Sequence, residues 1–157
     1  MLSKKNNRAR EKITAAVYRL LKLRLRSKKE LYQRLKRRKF PDSLINKVIK
    51  ELEGKGLLND KDFALFWARS RLERGWAELR IKQELRQKGI DEETQEEVFR
   101  ILEKEIRKED ILKELFERRW QRLEGEDAAK RRRKIFGFFL RRGFSYSEIE
   151  RIWEQHS

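Results

Sequence analysis

The residues of this chain that could do chemistry are cations. The segment from Ser27 to Lys39, SKKELYQRLKRRK, carries Lys28, Lys29, Arg34, Lys36, Arg37, Arg38 and Lys39 against a single acid, Glu30. Leu31 and Leu35 stand one helical turn apart and mark a buried side, so Lys28, Lys29, Arg34, Arg37 and Arg38 are expected to project outward. Cations crowded in this way repel one another unless a polyanion meets them, which makes this face a candidate for phosphate or acidic-protein contacts. A second run, Lys130, Arg131, Arg132, Arg133 and Lys134, followed by Arg141 and Arg142, is flanked by Glu124, Glu126 and Asp127. It reads equally well as a second basic face and as a solvated surface.

Catalytic chemistry has little to work with. The one histidine, His156, stands next to the last residue and is expected to be a solvated tail. With no cysteine, thiol nucleophiles, disulfides and Cys-ligated zinc are excluded. Gly54-Lys55-Gly56 is followed by Leu57, so no phosphate-cradling loop is present. Asn59-Asp60-Lys61-Asp62 suits a helix start capped by Asp60 or Asp62 better than a cation site, which needs more oxygen ligands. The other carboxylates lie beside Lys and Arg at helix-surface spacing, and no nucleophile–base pair stands out. The expectation is a binding protein with no cofactor and no metal.

The elements that position these residues must be helical. The chain has 157 residues and 19.3 kDa, of which 45% are charged, with one Pro and seven Gly. Residues 1–50 hold 18 basic and 3 acidic side chains, so nearly all of the net charge of +16 sits in the first third. Sixteen aromatics at regular spacing argue against disorder. The longest apolar runs, Phe63 to Ala68 and Ile135 to Leu140, fall far short of the roughly 20 residues a membrane span needs. The start, MLSKKNNRAR, leads into no signal-type core. A soluble, cytoplasmic protein without membrane contact is expected.

The sequence repeats itself. Leu31 to Leu52 aligns without gaps on Ile81 to Leu102, and a third copy begins at Ile135. Leu31, Ile81 and Ile135 coincide, as do Leu35, Leu85 and Phe139, then Phe40, Ile90 and Phe144, then Val48, Val98 and Ile152. Their i, i+4 spacing makes each copy a helix, a tight turn and a second helix. Gly89 and Gly143 fall where a helix end wants a left-handed residue, with Lys39 in the equivalent place. Pro41, Asp91 and Ser145 suit the next helix start, and Ser27 with Glu30 and Ser145 with Glu148 read as capping boxes. A further amphipathic stretch precedes each copy: Ile13 to Leu25, Phe63 to Leu72, and Ile111 to Leu123. The predicted fold is all-α, with three tandem three-helix repeats (residues 1–58, 59–107 and 108–157) forming an elongated, curved molecule. Gly54 to Asp60 separates the first two repeats, whereas Glu103 to Asp110 has no breaker and is expected to be nearly continuous helix. Trp67, Trp120 and Trp153 lie on apolar faces and should be core; Trp76, following Arg74-Gly75 at a turn, should be partly exposed.

The central segment, DKDFALFWARSRLERGWAELRIKQELRQKGI, resembles the signature of the RecX family, regulators of the bacterial RecA recombinase. Its marks are Asp60, Phe63, Ala64, Arg71, Gly75, Ile81, Glu84, Leu85, Lys88, Gly89 and Ile90. Arg26 to Leu31 is similar to the family's first-module pattern and Leu140 to Ser145, with Gly143, to its last. Lys39 departs from the usual turn glycine. The resemblance implies a protein that binds along the groove of the RecA–DNA filament and limits its extension or promotes its disassembly. RecA-driven ATP hydrolysis, strand exchange and SOS cleavage would fall accordingly. On that reading the cationic first module steers and touches phosphate or acidic surface, while Arg71, Arg74, Trp76 and Arg80 make specific partner contacts. DNA itself would be bound weakly and without sequence preference. No heptad seam demands a dimer, so a monomer is expected. The rival readings are a helix-turn-helix DNA-binding protein without RecA specificity, and a ribosome-associated RNA binder.

Overall fold

The structure, a computed structural model, describes residues 2–156. These form nine α-helices and no strand: α1 (Leu2–Leu23), α2 (Lys28–Arg37), α3 (Asp42–Gly54), α4 (Asp60–Glu73), α5 (Glu78–Gln87), α6 (Glu92–Glu105), α7 (Lys108–Arg122), α8 (Ala128–Arg141) and α9 (Tyr146–His156). The three triplets are the expected repeats. By internal packing the chain divides into two compact units, Met1–Phe66 with Leu85–Glu96 and Trp67–Glu84 with Glu97–Ser157. The middle triplet, α4–α6, thus contributes residues to both.

In the first unit, Ile13 and Val17 of α1, Leu31 and Leu35 of α2, and Ile45 and Val48 of α3 are buried in one apolar cluster. Each pair stands three or four residues apart, the stripe that lets a helix bury one face. α1 begins at Leu2, well upstream of the expected start near Ile13. Ser3 to Arg8 are exposed, so no apolar period marks this stretch, although Lys and Arg favour helix.

The helix ends follow capping chemistry. Ser27 Oγ accepts from the Glu30 N–H at 3.2 Å, and Glu30 Oε2 accepts from the Ser27 N–H at 3.3 Å, the expected capping box. The second box is also present: the Ser145 N–H donates to Glu148 Oε2 at 2.7 Å and the Glu148 N–H to Ser145 Oγ at 3.3 Å. At α4 the cap is Asn59, whose Oδ1 accepts from the Lys61 and Asp62 N–H groups at 2.9 and 3.2 Å. The expectation that Asp60 or Asp62 would cap this helix is corrected: the carboxylate of Asp60 is used elsewhere. Lys39, Gly89 and Gly143 adopt φ of 63°, 79° and 93°, so the same left-handed turn recurs in all three repeats, even where lysine must carry it.

The second unit is built around Phe116 of α7, Ile135 and Phe139 of α8 and Ile149 of α9, all buried. Trp120 and Trp153 pack against that cluster but are only partly buried, as is Trp67, which moves all three from core to its margin. The α6–α7 junction is not continuous helix. Ile106 and Arg107 lie between Glu105 and Lys108 in extended or irregular backbone. His156 is not a free tail: its ring lies 5.0 Å from that of Phe116 and 5.2 Å from that of Trp120, and its Nε2 is 2.6 Å from Glu117 Oε2. Among the described residues no helix is long and apolar enough to cross a membrane.

Candidate functional site

The basic face of the first unit is assembled by α1 and α2. Arg34 and Arg37 from the last turn of α2, with Arg38 just beyond it, meet Arg19 from α1 around a shallow hollow of about 360 Å³, floored by Ala16 and Leu20. Among the described residues, no carboxylate lines it. Arg19, Arg34 and Arg37 are exposed and, among the described residues, make no ion pair, while Arg38 lies 5.8 Å over the Phe40 ring. Arg19 was not singled out from the sequence. It stands between the buried Ala16 and the partly buried Leu20, at the border of the apolar stripe, and that position was the available signal.

The other expected members of this face behave differently. Lys28 Nζ is 2.7 Å from Glu53 Oε2, and that hydrogen bond raises its pKa despite the cost of burial. Lys28 is therefore engaged within the fold and does not project freely. Lys29 is exposed at its head, but a Cβ on Gly89 would stand 2.9 Å from its Cβ, so its stem packs on the α5–α6 turn. Glu30, the single acid of the segment, serves none of the α2 cations. It accepts from Arg24 Nη2 at 3.0 Å and from Lys88 Nζ at 2.6 Å. Burial opposes its ionisation, yet these two cations hold its carboxyl at about 2. The field of the region is felt at Arg26, which is 7% exposed. Burial first, then repulsion from Arg24 and Arg34, lower its pKa.

The second basic run is largely consumed internally. Lys130 and Lys134 both pair with Glu126. Arg131 donates to the Leu123 carbonyl and covers the Trp120 ring at 4.7 Å. Arg132 donates to Glu150 and lies 4.4 Å over Phe136. Arg133 is exposed and, among the described residues, makes no ion pair.

The partner-contact residues expected in the middle module are brought together in the second unit. Glu84 Oε2 accepts from Trp67 Nε1 at 2.9 Å and from Arg71 Nε at 3.0 Å, while Arg80 Nε lies 3.9 Å from Glu84 Oε1. The Arg71 guanidinium lies 4.9 Å from the centre of a Trp67 ring and 5.2 Å from that of Trp76. Arg74 contributes its carbonyl, which accepts from Arg142 Nη1 at 3.0 Å. Of the motif residues, Phe63, Ile81, Leu85 and Ile90 are buried, and Gly75 is the left-handed turn between α4 and α5, with φ 78°. The arrangement offers cationic and aromatic surface held between packed helices.

Comparison with known proteins agrees. Three family models match in chain order: the first RecX three-helix domain over residues 15–52, the second over 59–98 and the third over 105–153. This chain belongs to the RecX family. A regulatory protein RecX of Mycolicibacterium smegmatis is 35% identical over 82% of this chain and 71% of its own length. That of Streptomyces coelicolor is 31% identical over 92% and 77%. The crystal structure of RecX from Lactobacillus salivarius superposes with a TM-score of 0.73 at 25% identity, covering 95% of this chain and 97% of that one. RecX proteins are regulators and not enzymes, and the tandem three-helix organisation is the family's own.

Proposed function

We propose that this chain regulates the RecA recombinase by binding the groove of the RecA–DNA filament and limiting its extension or promoting its disassembly. The observation that carries the reading is the ordered match of all three RecX domains, which spans nearly the whole chain. The arginine hollow of the first unit supports it. Guanidiniums that, among the described residues, make no ion pair steer a protein toward a polyanionic filament and contact phosphate or acidic side chains on arrival. The middle module, through Arg71, Arg74, Trp76 and Arg80, would supply protein contacts. Mechanically the chain acts as a wedge or clamp on a partner that does its own ATP hydrolysis.

Co-sedimentation with RecA filaments on single-stranded DNA tests this reading. The protein should pellet with filaments at concentrations where bare DNA retains little of it. Equal retention on bare DNA would favour the plain DNA-binding alternative.

A further inference from the structure

A second cationic feature in the second unit is unlike the solvated faces elsewhere. Six side chains alternate between cation and ring: Trp67, Arg71, Trp76, Arg142, Phe138 and Arg119. Successive centres are separated by 4.9, 5.2, 4.9, 4.5 and 4.5 Å. The stack runs from α4 through the α4–α5 turn to the end of α8 and to α7. Among the described residues, only Arg71 of the three guanidiniums meets a carboxylate, that of Glu84 at the far end. Among the described residues, Arg142 donates to the Arg74 carbonyl and makes no ion pair, and Arg119 Nε is buried with no acceptor. Burial, then repulsion from Arg119 and Arg71, lower the pKa of Arg142. Two half-buried cations without a carboxylate beside them would be stabilised by an anion that reaches their accessible guanidinium nitrogens.

Trp76 belongs at the same time to a groove of about 370 Å³ in this unit, walled by Leu72, Ala77, Leu112, Phe144 and Ile152. Cationic stack and apolar groove therefore adjoin through one residue. Two of the groove's charged groups, Glu78 and Lys108, neutralise each other at 2.6 Å, and Glu148 is engaged in its capping box. Lys113 and Arg151 balance Glu109 and Glu148, so the groove as a whole is electrically neutral and what it offers is its apolar wall.

We infer that this surface receives a segment of a partner protein in which a carboxylate side chain stands next to apolar ones: the carboxylate on Arg142 and Arg119, the apolar side chains in the groove beside Trp76. Aromatic and arginine side chains half-removed from water are the residues that dominate protein interfaces. A carboxylate meeting a desolvated guanidinium forms a charge-assisted pair much stronger than one at an exposed site. A nucleic acid fits less well, because its phosphates would meet the guanidiniums but leave the apolar wall of Leu72, Leu112 and Ile152 uncovered. The inference rests on the regulator reading only in naming the RecA filament as the source of the segment.

The test uses the full chain and an acetylated Asp-Leu-Phe-Glu peptide, following the Trp76 indole N–H resonance by NMR. The peptide should shift that resonance. Its Asn-Leu-Phe-Gln counterpart should bind about tenfold more weakly, as should the acidic peptide to Arg119→Gln or Arg142→Gln, with Arg142→Lys restoring part of the loss. Arg119→Gln should keep the melting temperature and so separates binding from folding, whatever Arg142→Gln does to stability. Equal binding of the two peptides, no shift with either, or a larger shift with an oligothymidylate would each overturn the inference. Filament co-sedimentation of the wild-type chain is read separately. Failure there sinks the regulator reading and leaves the peptide result standing.

Discussion

Asp60, the first residue of α4, accepts a hydrogen bond from the backbone N–H of Lys28, the first residue of α2, at 2.9 Å. This bond gives Asp60 a structural role. It satisfies an orphan donor at the start of a helix 32 residues earlier, while Asn59 caps its own helix. Asp60→Ala should cost about 1 kcal/mol, the usual loss for a helix cap. Urea unfolding would show it as a lower midpoint at unchanged slope; an unchanged midpoint would remove Asp60 from this role.

Glu30 and Asp60 should give opposite pH signatures. Hydrogen bonds from Arg24 and Lys88 outweigh burial and bring Glu30 down from 4.5 to about 2. Its folded pKa lies below its unfolded one, so its contribution is present above pH 4.5 and is lost as pH falls toward 2. A difference of that size corresponds to at most about 3.5 kcal/mol. The stability gap between wild type and Glu30→Gln should thus be full at neutral pH and close in acid. Asp60 is raised, chiefly by burial, so its contribution instead declines as pH rises through its titration. Asp60→Asn should therefore compare better with wild type at neutral pH than in acid. Parallel pH profiles for the two variants would contradict both assignments.

The left-handed turns make a paired prediction. A Cβ on Gly143 would stand 2.7 Å from Arg80 Cβ at a φ of 93°. Gly143→Ala should therefore cost about 2 kcal/mol, combining backbone strain with a displaced neighbour. Lys39 holds the equivalent turn at φ 63° with a side chain that disfavours it. Lys39→Gly should gain about 0.5–1 kcal/mol. Thermal melting of both variants checks the signs; a destabilised Lys39→Gly would mean the lysine stem contributes more than its backbone costs.

The arginine hollow should be visible as salt dependence. Every cation that neutralises a phosphate of single-stranded DNA adds about 0.7 to the steepness of log K against log salt. Replacing Arg19, Arg34 and Arg37 together by Gln should flatten that slope by about 2 and weaken DNA and filament binding alike. An unchanged slope in anisotropy titrations would exclude the hollow from touching phosphate.

Much of this architecture could be read from the sequence because repetition and capping are local. Leu31, Ile81 and Ile135 announce the same helix three times, and Ser27 with Glu30 or Ser145 with Glu148 declare their helix starts within four residues. What escaped reading is tertiary or unpatterned. The first turns of α1 carry no apolar stripe, and the Ile106–Arg107 break contains neither Gly nor Pro. The partner of Lys28 is Glu53 on another helix, and that of His156 is Glu117, so neither engagement has a spacing to betray it. The hollow was half legible: Arg34, Arg37 and Arg38 stand in one dense run, whereas Arg19 joins them only once α1 and α2 pack. The aromatic–arginine stack was wholly hidden, since Arg142 lies 66 positions from Trp76 and reads as part of a basic run.

The central claim is regulation of RecA on its filament, and ATP hydrolysis by RecA preassembled on single-stranded DNA measures it most directly. Titrating this protein into that reaction should inhibit hydrolysis at substoichiometric amounts, because each molecule acts on an extended filament. Inhibition that sets in only when enough protein is present to coat the DNA would contradict the account and leave a basic protein competing for the strand.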